Sequence, residues 1–391
     1  MTSAVPATAR SDAPTTPRPF DVGIVGAGQL ARMTCLAAWP LEIKVAVLGM
    51  PGEPAAGMAA GLVEGDWRDA DAVARLGAQC GVVTLENEFV AASALARVEA
   101  EGALVRPDAA TVATVQDKAL QKALLRDSGL PVPDFRVATS TGELAAIGRD
   151  LGWPLVMKAR TLGYDGYGNA TCATPAEAEE AFGRLDRGDG VLVESFVDFE
   201  RELAVMIARR PGGQTIPYPV VETRQRDHVC HEVLVPAPID PSRAERAEEV
   251  AVSAAVTAGA VGVMGVELFA LRDGRVLVNE LAPRPHNSGH YTIEACETSQ
   301  FENHLRGVLD LPLGAVDLRC TSAVMINLLG THEGPALAPS AGPLAVHGAH
   351  LHLYGKSEVR VRRKMGHVTV LGGTLEDAHV RARHAASEVP V

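Results

Sequence analysis

From Phe20 onward the chain alternates short apolar runs with helix-like segments, and that alternation constrains the fold more than any single motif. FDVGIVGAG passes through a glycine turn into QLARMTCLAAW, and IKVAVLG and GVVTL follow as further apolar runs. Strands joined through helices pair in parallel, since only a crossover returns the chain to the same end of the sheet. The expected result is a parallel, doubly wound α/β unit. The nineteen residues before it are rich in Pro, Ala, Thr and Ser and lack the apolar core of a secretory signal, so they read as a disordered tail.

A chain of 391 residues exceeds one ordinary core, and two or three domains are expected. Near QDKALQKALLRDSGLPVP a helix pattern ends at a Gly-Leu-Pro turn, and WPLVMKARTLGYDGYGNAT follows as two strands around a glycine loop. Strands recur at GVLVESF, ERELAVMIAR, GVELFALR and RVLVNEL, with the helix PSRAERAEEVAVSAAVTAG between them, which predicts an α+β second domain. After DLPLG, the strands TSAVMINLLG, HGAHLHLYG and GHVTVLG suggest a small terminal β unit. These breaks give a tail at 1–19, then 20–115, 116–315 with a smaller subdomain at about 130–192, and 316–391.

The net charge of -12 argues against a general nucleic-acid surface and leaves small anions as the expected partners. Six scattered cysteines without short paired spacing fit a reducing cytoplasm, and no run approaches membrane-spanning length. VRVRRK has no interleaved aromatics, so it reads as a phosphate clamp or a solvated edge rather than an RNA site. His347, His350 and His352 lack a nearby thiolate or fourth ligand and read as surface strand histidines rather than a zinc site.

Candidate site residues fall at strand ends. Gly26, Gly28 and Ala31 form a G-x-G-x-x-A turn whose helix amides suit a phosphate-bearing ligand or simply a tight turn. A nicotinamide site is disfavoured, because the end of the second strand offers Gly49 and Met50 instead of an acid. Glu86 and Glu88 alternate past the third apolar run, and either line a crevice together or are solvated. Lys158, Arg160 and GYDGYG could fold over phosphates or form a plain hairpin; the loop is no P-loop, since no Gly-Lys-Ser/Thr opens a helix there. Glu194 and Glu202 are candidates for ribose hydroxyls. Glu267 and Glu280, thirteen residues apart around an RDGR turn, can meet across a hairpin; with Asn279 they suit magnesium, or else a basic neighbour. Finally, VLVNELAPRPHNSGHYT reads as a central strand stopped by Pro283 and Pro285, with Asn279, Glu280, Arg284, His286 and Asn287 at its end as a ligand site or a solvated turn.

Together the strand lysine, the glycine loop, the glutamates of VESFVDFERE, the paired carboxylates and NELAPRPHNSGHYT resemble the ATP-grasp superfamily. Within it, GAGQLARM, GYDGYG, NELAPRPHNSGH and RRKMGHVT are similar to the 5-(carboxyamino)imidazole ribonucleotide synthase family of purine biosynthesis, over nearly everything from residue 20 to about 375. The resemblance implies an ATP-grasp fold with an N-terminal Rossmann-like preATP-grasp domain and a small C-terminal β domain. It implies carboxylation of 5-aminoimidazole ribonucleotide with bicarbonate through carboxyphosphate, driven by ATP and magnesium, in a cytoplasmic homodimer that binds neither nucleic acid nor membrane.

By the same resemblance, Lys118 and Lys158 contact the phosphates of ATP under a flap of Gly163, Tyr164, Asp165, Gly166, Tyr167, Gly168 and Asn169. Glu194, Ser195, Phe196, Val197 and Glu202 hold adenine and ribose, Gln225 touches ATP, and Glu267 and Glu280, with Asn279 beside them, hold magnesium. The ribotide is surrounded by Gln29, Leu30, Glu86, Glu88, Tyr164, Asp165, Arg284, His286 and Asn287, and its phosphate by Lys356 and Arg363. Lys158, Asp165, Arg284 and His286 are the implied catalytic residues.

Departures from the family pattern are Ala31 for glycine, Tyr167 and Asn169 in the flap, Gln225 where a histidine is expected, with His228 or His231 as replacements by register shift, and RVRRKMGH for Arg-Pro-Gly-Arg-Lys. A sister ligase, such as formate-dependent glycinamide ribotide transformylase or biotin carboxylase, would share the nucleotide half, but PRPHNSGH favours the aminoimidazole ribotide. A nicotinamide oxidoreductase would leave Lys158, Glu267 and Glu280 unexplained, and a non-catalytic nucleotide-binding protein would not need the paired glutamates.

Overall fold

The computed structural model describes residues 18–163, 168–226, 229–335, 337–338 and 341–391. Most of the tail, the flap residues Tyr164, Asp165, Gly166 and Tyr167, and His228 therefore lie outside the described residues.

The N-terminal unit runs β1 (Phe20–Val25), α1 (Gln29–Ala38), β2 (Val45–Gly49), β3 (Gly61–Glu64), α2 (Ala70–Gln79), β4 (Cys80–Leu85), α3 (Ala92–Ala100), β5 (Leu104–Val105) and α4 (Ala109–Gln116). All pairings are parallel, in the order β3-β2-β1-β4-β5. β2 is buried along its whole length, as a strand covered by helices on both faces must be. Strand order reverses at β1, so the crevice past the ends of β1 and β4 is the switch point where such sheets take ligands. GVVTL is thus the fourth strand rather than the third; β3 and β5 are too short to announce themselves by alternation.

α5 (Lys118–Asp127) begins at Asp117, whose side chain accepts from the amides of Ala119 and Leu120. Next, β6 (Phe135–Ala138), α6 (Thr141–Leu151), β7 (Leu155–Ala159), β8 (Asn169–Cys172), α7 (Pro175–Leu185) and β9 (Val191–Ser195) form an antiparallel sheet in the order β6-β9-β7-β8. Leu155, Met157, Val191 and Val193 pack on α6 and α7, so strand alternation turns Val156, Lys158 and Glu194 to the opposite face.

The large sheet comprises β10 (Phe199–Arg209), β11 (Thr215–Pro217), β12 (Val221–Arg226), β13 (Val229–Val235), then after α8 (Pro241–Thr257) β14 (Gly262–Leu271) and β15 (Val276–Ala282). Past α9 (Thr292–Ala295) and α10 (Gln300–Val308) come β16 (Ser322–Leu329), β17 (Gly334–Pro335), α11 (Ala341–Ala345), β18 (Ala349–Leu353), β19 (Glu358–Val359), β20 (Lys364–Gly372) and α12 (Leu375–Ser387). In the order β15-β14-β10-β12-β13-β16-β20-β18 three C-terminal strands extend the central sheet, while β17 and β19 pair apart as a two-stranded sheet. β13 would otherwise present an open edge, and β16 pairs along it from Glu232↔Ile326 to Val235↔Ala323.

A second correction concerns β15, expected to be central. Among the described residues it pairs only with β14 and is the sheet's edge. It reads as apolar because Val276, Val278 and Leu281 pack against Val250 and Ala254 of α8, while the Val278 N–H donates to the Pro131 carbonyl (2.7 Å).

Candidate active site

One cavity of about 690 Å³ opens where the carboxyl ends of β1 and β4 face the inner surfaces of the two antiparallel sheets. Its nucleotide-like half is built on a chain of alternating charges. Lys118 and Lys122 are one helical turn apart on α5 and both are buried. Lys122 Nζ lies 2.9 Å from Glu194 Oε1 and donates to the Val278 carbonyl at 3.0 Å. Lys158 Nζ lies 2.6 Å from Glu194 Oε2 and 3.0 Å from Asn279 Oδ1, and Lys118 pairs with Glu280. Burial alone would raise the Glu194 carboxyl, but the two ammonium groups outweigh it and hold it at about 2. Burial pushes Lys122 down to about 8 against the pull of Glu194. For Lys158 burial is outweighed by Glu194 and Glu280, and its value is raised.

The expectation that Glu194 binds ribose hydroxyls is therefore corrected: both its oxygens face lysines. Its diagonal position to Lys158 across β7 and β9 brings the two together on one face. Glu202 remains on the cavity wall, hydrogen-bonded by Gln225. β13 carries one extra residue between its Glu232 and Cys230 pairings, a bulge that puts His231 out of the ladder. Gln225 and Cys230 consequently line the cavity, while His231 turns to Glu232, 3.7 Å away. Ser195, Phe196 and Val197 form the adjoining rim. The stacked pair Phe199 and Phe269, 4.7 Å between centroids and 5° apart in plane, supplies an apolar wall that sequence reading missed. At the flap's ends, Gly163 and Asn169 line the cavity and the Gly168 carbonyl accepts from the Ala159 N–H.

Glu267 and Glu280 stand directly opposite each other on β14 and β15, because a bulge at Asn279 shifts by one residue the register in which Leu268 faces Val278. Burial pushes the Glu267 carboxyl up, and Glu280 and Glu202 push it further. Asn279 Nδ2 is 3.3 Å from Glu267 Oε2, and His286 Nε2 is 3.5 Å from Oε1. This donor set fits a hard divalent cation, whose charge would relieve the repulsion. No group of three or more His, Cys, Asp or Glu among the described residues could hold a metal alone, which agrees with an ion that completes its shell from phosphates and water. The C-terminal histidines are not all on the surface: His352 stacks on buried His367 (4.5 Å) and meets Glu294.

The other half of the cavity gathers around the glycine turn. The first amides of α1, open in the sequence to a phosphate-bearing ligand or a plain tight turn, meet the Glu86 carboxylate, which accepts from Gly28 and Leu30 (3.2 Å for the latter). An internal anion has taken the helix N-terminus. A Cβ at 28 would fall 2.2 Å from Glu86 Oε1, so the glycine leaves the space this carboxylate occupies. Burial raises the Glu86 carboxyl, the two backbone bonds lower it, Glu53 raises it and Lys356 lowers it. Glu88 forms a half-buried bidentate pair with Arg284 (2.8 Å for Nη2 to Oε1), tying two residues 196 apart in sequence. His286 Nδ1 meets Ser288 Oγ at 2.7 Å, and Asn287 exchanges amide hydrogen bonds with Asn327.

Gln29, Leu30, Glu86, Glu88, Arg284, His286 and Asn287 all line this half. Lys356 and Arg363 do not. Lys356 Nζ donates to the Lys364 carbonyl (2.6 Å) and Arg363 to the Glu358 carbonyl (3.1 Å), while the neighbouring Lys364 reaches the cavity. The tight turn at Arg362, with φ of 66°, rotates the RRK run so that its lysine faces inward.

Comparison with known proteins follows the same three parts. Residues 20–116 match the ribonucleotide synthetase preATP-grasp domain, 123–301 the ATP-grasp domain, and 323–381 the phosphoribosylaminoimidazole carboxylase C-terminal domain. The chain is 42% identical over 357 residues to the N5-carboxyaminoimidazole ribonucleotide synthase of Synechococcus elongatus, covering 89% of each. It is also 42% identical to the phosphoribosylaminoimidazole carboxylase of Schizosaccharomyces pombe, where 92% of this chain spans 66% of that longer protein. Among solved structures, carboxyaminoimidazole ribonucleotide synthase from Aspergillus clavatus complexed with ATP superposes with a TM-score of 0.86 at 35% identity, over 95% of this chain and 99% of that one. The Thermotoga maritima synthetase gives 0.85 at 37% identity, over 95% and 98%.

Proposed function

We infer the reaction from one premise: the chain belongs to the N5-carboxyaminoimidazole ribonucleotide synthase family of ATP-grasp enzymes. It couples ATP hydrolysis to carboxylation of 5-aminoimidazole ribonucleotide by bicarbonate. A bicarbonate oxygen attacks the γ-phosphorus, ADP leaves, and carboxyphosphate results. The exocyclic amine of the ribotide then attacks the carboxyl carbon, phosphate departs, and the amine loses a proton. The observation that carries this reading is the sharing of one cavity by the Glu267–Glu280 pair and the Glu88–Arg284 clasp, joined by five residues of β15 and its loop.

In that cavity Lys118 and Lys158 neutralise the phosphates, Glu202 takes the ribose of ATP, and Phe199 and Phe269 flank the base. Glu267 and Glu280 would hold magnesium, which supplies charge neutralisation at the triphosphate. Arg284 and His286 lie between that end and the ribotide half, positioned to orient the acceptor against the activated carboxyl. Asp165, the fourth of the implied catalytic residues, lies outside the described residues. By the same family likeness the enzyme works in the cytoplasm as a homodimer.

ADP release should require ATP, magnesium, bicarbonate and the ribotide together. Equal turnover with formate in place of bicarbonate would point to the transformylase, and ribotide-independent ADP release at the full rate would remove the acceptor.

The ribotide phosphate is expected at Lys364, the member of the Lys356, Arg363 and Lys364 cluster that lines the cavity, with Lys356 and Arg363 fastening the turn that presents it. Arg363→Ala and Lys364→Ala should each raise the ribotide KM about tenfold, as loss of a charge-assisted hydrogen bond worth roughly 1.5–3 kcal/mol implies. The ATP KM should hold; a selective rise in it instead would move this cluster to the nucleotide.

A further inference from the structure

The end of β2, where a doubly wound sheet ordinarily presents an acid to ribose hydroxyls, carries Gly49 and Met50. The fold explains the glycine and supplies the acid from elsewhere. A Cβ at 49 would lie 2.4 Å from the Ala27 Cβ in the glycine turn, so no side chain fits there. It would also lie 2.3 Å from Glu53 Oε2: the Glu53 carboxylate stands in the space a side chain at 49 would fill.

That carboxylate is held in place. Glu53 Oε2 accepts from the Met50 N–H (2.8 Å), and the Glu53 N–H donates back to the Met50 carbonyl (3.2 Å). Just beyond, Arg32 of α1 donates to the Pro54 carbonyl (3.2 Å) and the Ala55 N–H donates to the Ala27 carbonyl (2.8 Å). The turn is thereby fastened to the same glycine loop and helix that line the cavity, and Glu53 is part of that lining. No described residue hydrogen-bonds Glu53 Oε1, and the side chain is exposed. Glu86, the neighbouring carboxylate, is already engaged by the amides of Gly28 and Leu30.

We propose that Glu53 accepts hydrogen bonds from the ribose hydroxyls of the acceptor ribotide and so selects a ribotide over a deoxyribotide. The assignment rests on the ribotide reading above. A carboxylate pre-set in this way discriminates against a substrate lacking the hydroxyl, since the bound ligand displaces water from an oxygen that is then left without a donor.

The test compares 5-aminoimidazole ribonucleotide with its 2′-deoxy and 3′-deoxy analogues at saturating ATP, magnesium and bicarbonate, in wild type, Glu53→Gln and Glu53→Ala. Wild type should prefer the ribotide over at least one analogue by about tenfold or more in kcat/KM. Glu53→Ala should bring ribotide and analogue within about twofold of each other, with the ATP KM and melting temperature unchanged; Glu53→Gln, which retains an acceptor oxygen, should fall between. If wild type turns over the ribotide without discriminating, or if Glu53→Ala discriminates as well as wild type, the assignment fails while the ribotide reading stands. Absence of ribotide turnover by wild type would instead defeat the reading on which it rests.

Discussion

Replacing Glu280 by glutamine is expected to lower kcat by about a hundredfold or more, the loss associated with one preorganised electrostatic contact of about 3 kcal/mol. The substitution keeps size and an acceptor oxygen but removes a charge from the pair that would hold magnesium. It should not unfold the protein. Glu280 faces Glu267 directly, and their repulsion contributes to pushing the Glu267 carboxyl up, so deleting one charge relieves strain in the unliganded chain. Some of that gain is offset by Lys118, which loses its partner. A melting temperature near wild type together with a large fall in kcat would therefore separate a catalytic role from a structural one. Calorimetry should show weakened magnesium-ATP binding. Normal turnover by Glu280→Gln at limiting magnesium would sink the assignment. His286→Ala is a companion measurement: it should weaken the ribotide, and its 3.5 Å approach to Glu267 places it where a secondary effect on kcat is also expected.

The features legible in the sequence were those fixed by local arithmetic. The RDGR turn announces the hairpin of β14 and β15, but counting from it pairs Glu267 with Asn279; the bulge at Asn279 that brings Glu280 opposite Glu267 is not legible. Lys158 ends an apolar run whose alternation fixes the face it occupies. Pairings between distant segments were not legible. Nothing in TSAVMINLLG says that it will lie beside VCHEVLV, and nothing in VLVNELA distinguishes a central strand from an edge covered by a helix. The glycine turn shows a subtler limit. Helix amides attract any anion, and the pattern G-x-G cannot say whether that anion is a ligand or Glu86. Similarly, a glutamate at a strand end reads as a ribose ligand until the lysines facing it are known. Lys122, one turn beyond Lys118, was the available signal, since two lysines on one helical face with no acid three or four residues from either call for a buried counterion.

Glu194→Gln should be the most damaging substitution in this nucleotide half, although Glu194 is not expected to touch the nucleotide through its carboxylate. It leaves Lys122 and Lys158 buried, close together and without their shared anion. Removing one partner of a buried ion pair typically costs about 3–5 kcal/mol, because the remaining charge loses its compensation but not its desolvation. Here two lysines are affected, and the ATP KM should rise as Lys158 loses one of its two anchors, leaving Asn279. The pH dependence gives the loss its signature. The Glu194 carboxyl is held at about 2 in the folded chain, below its usual value of about 4.3 in an unfolded one. Its contribution is therefore fully present above roughly pH 5 and is lost as pH falls toward 2, so wild type and variant should converge in that window. On the alkaline side Lys122 is pushed down to about 8, below its unfolded value of about 10.4, so the unfolded chain binds more protons between those values. Stability from this group rises with pH there, and the variant, whose lysines lack the anion that favours their charge, should recover earlier and further than wild type. Urea titrations from pH 3 to 10 measure both limbs. A variant within about 1 kcal/mol of wild type at pH 7, or a difference that does not change between pH 7 and 3, would show that Glu194 does not hold these two lysines in place.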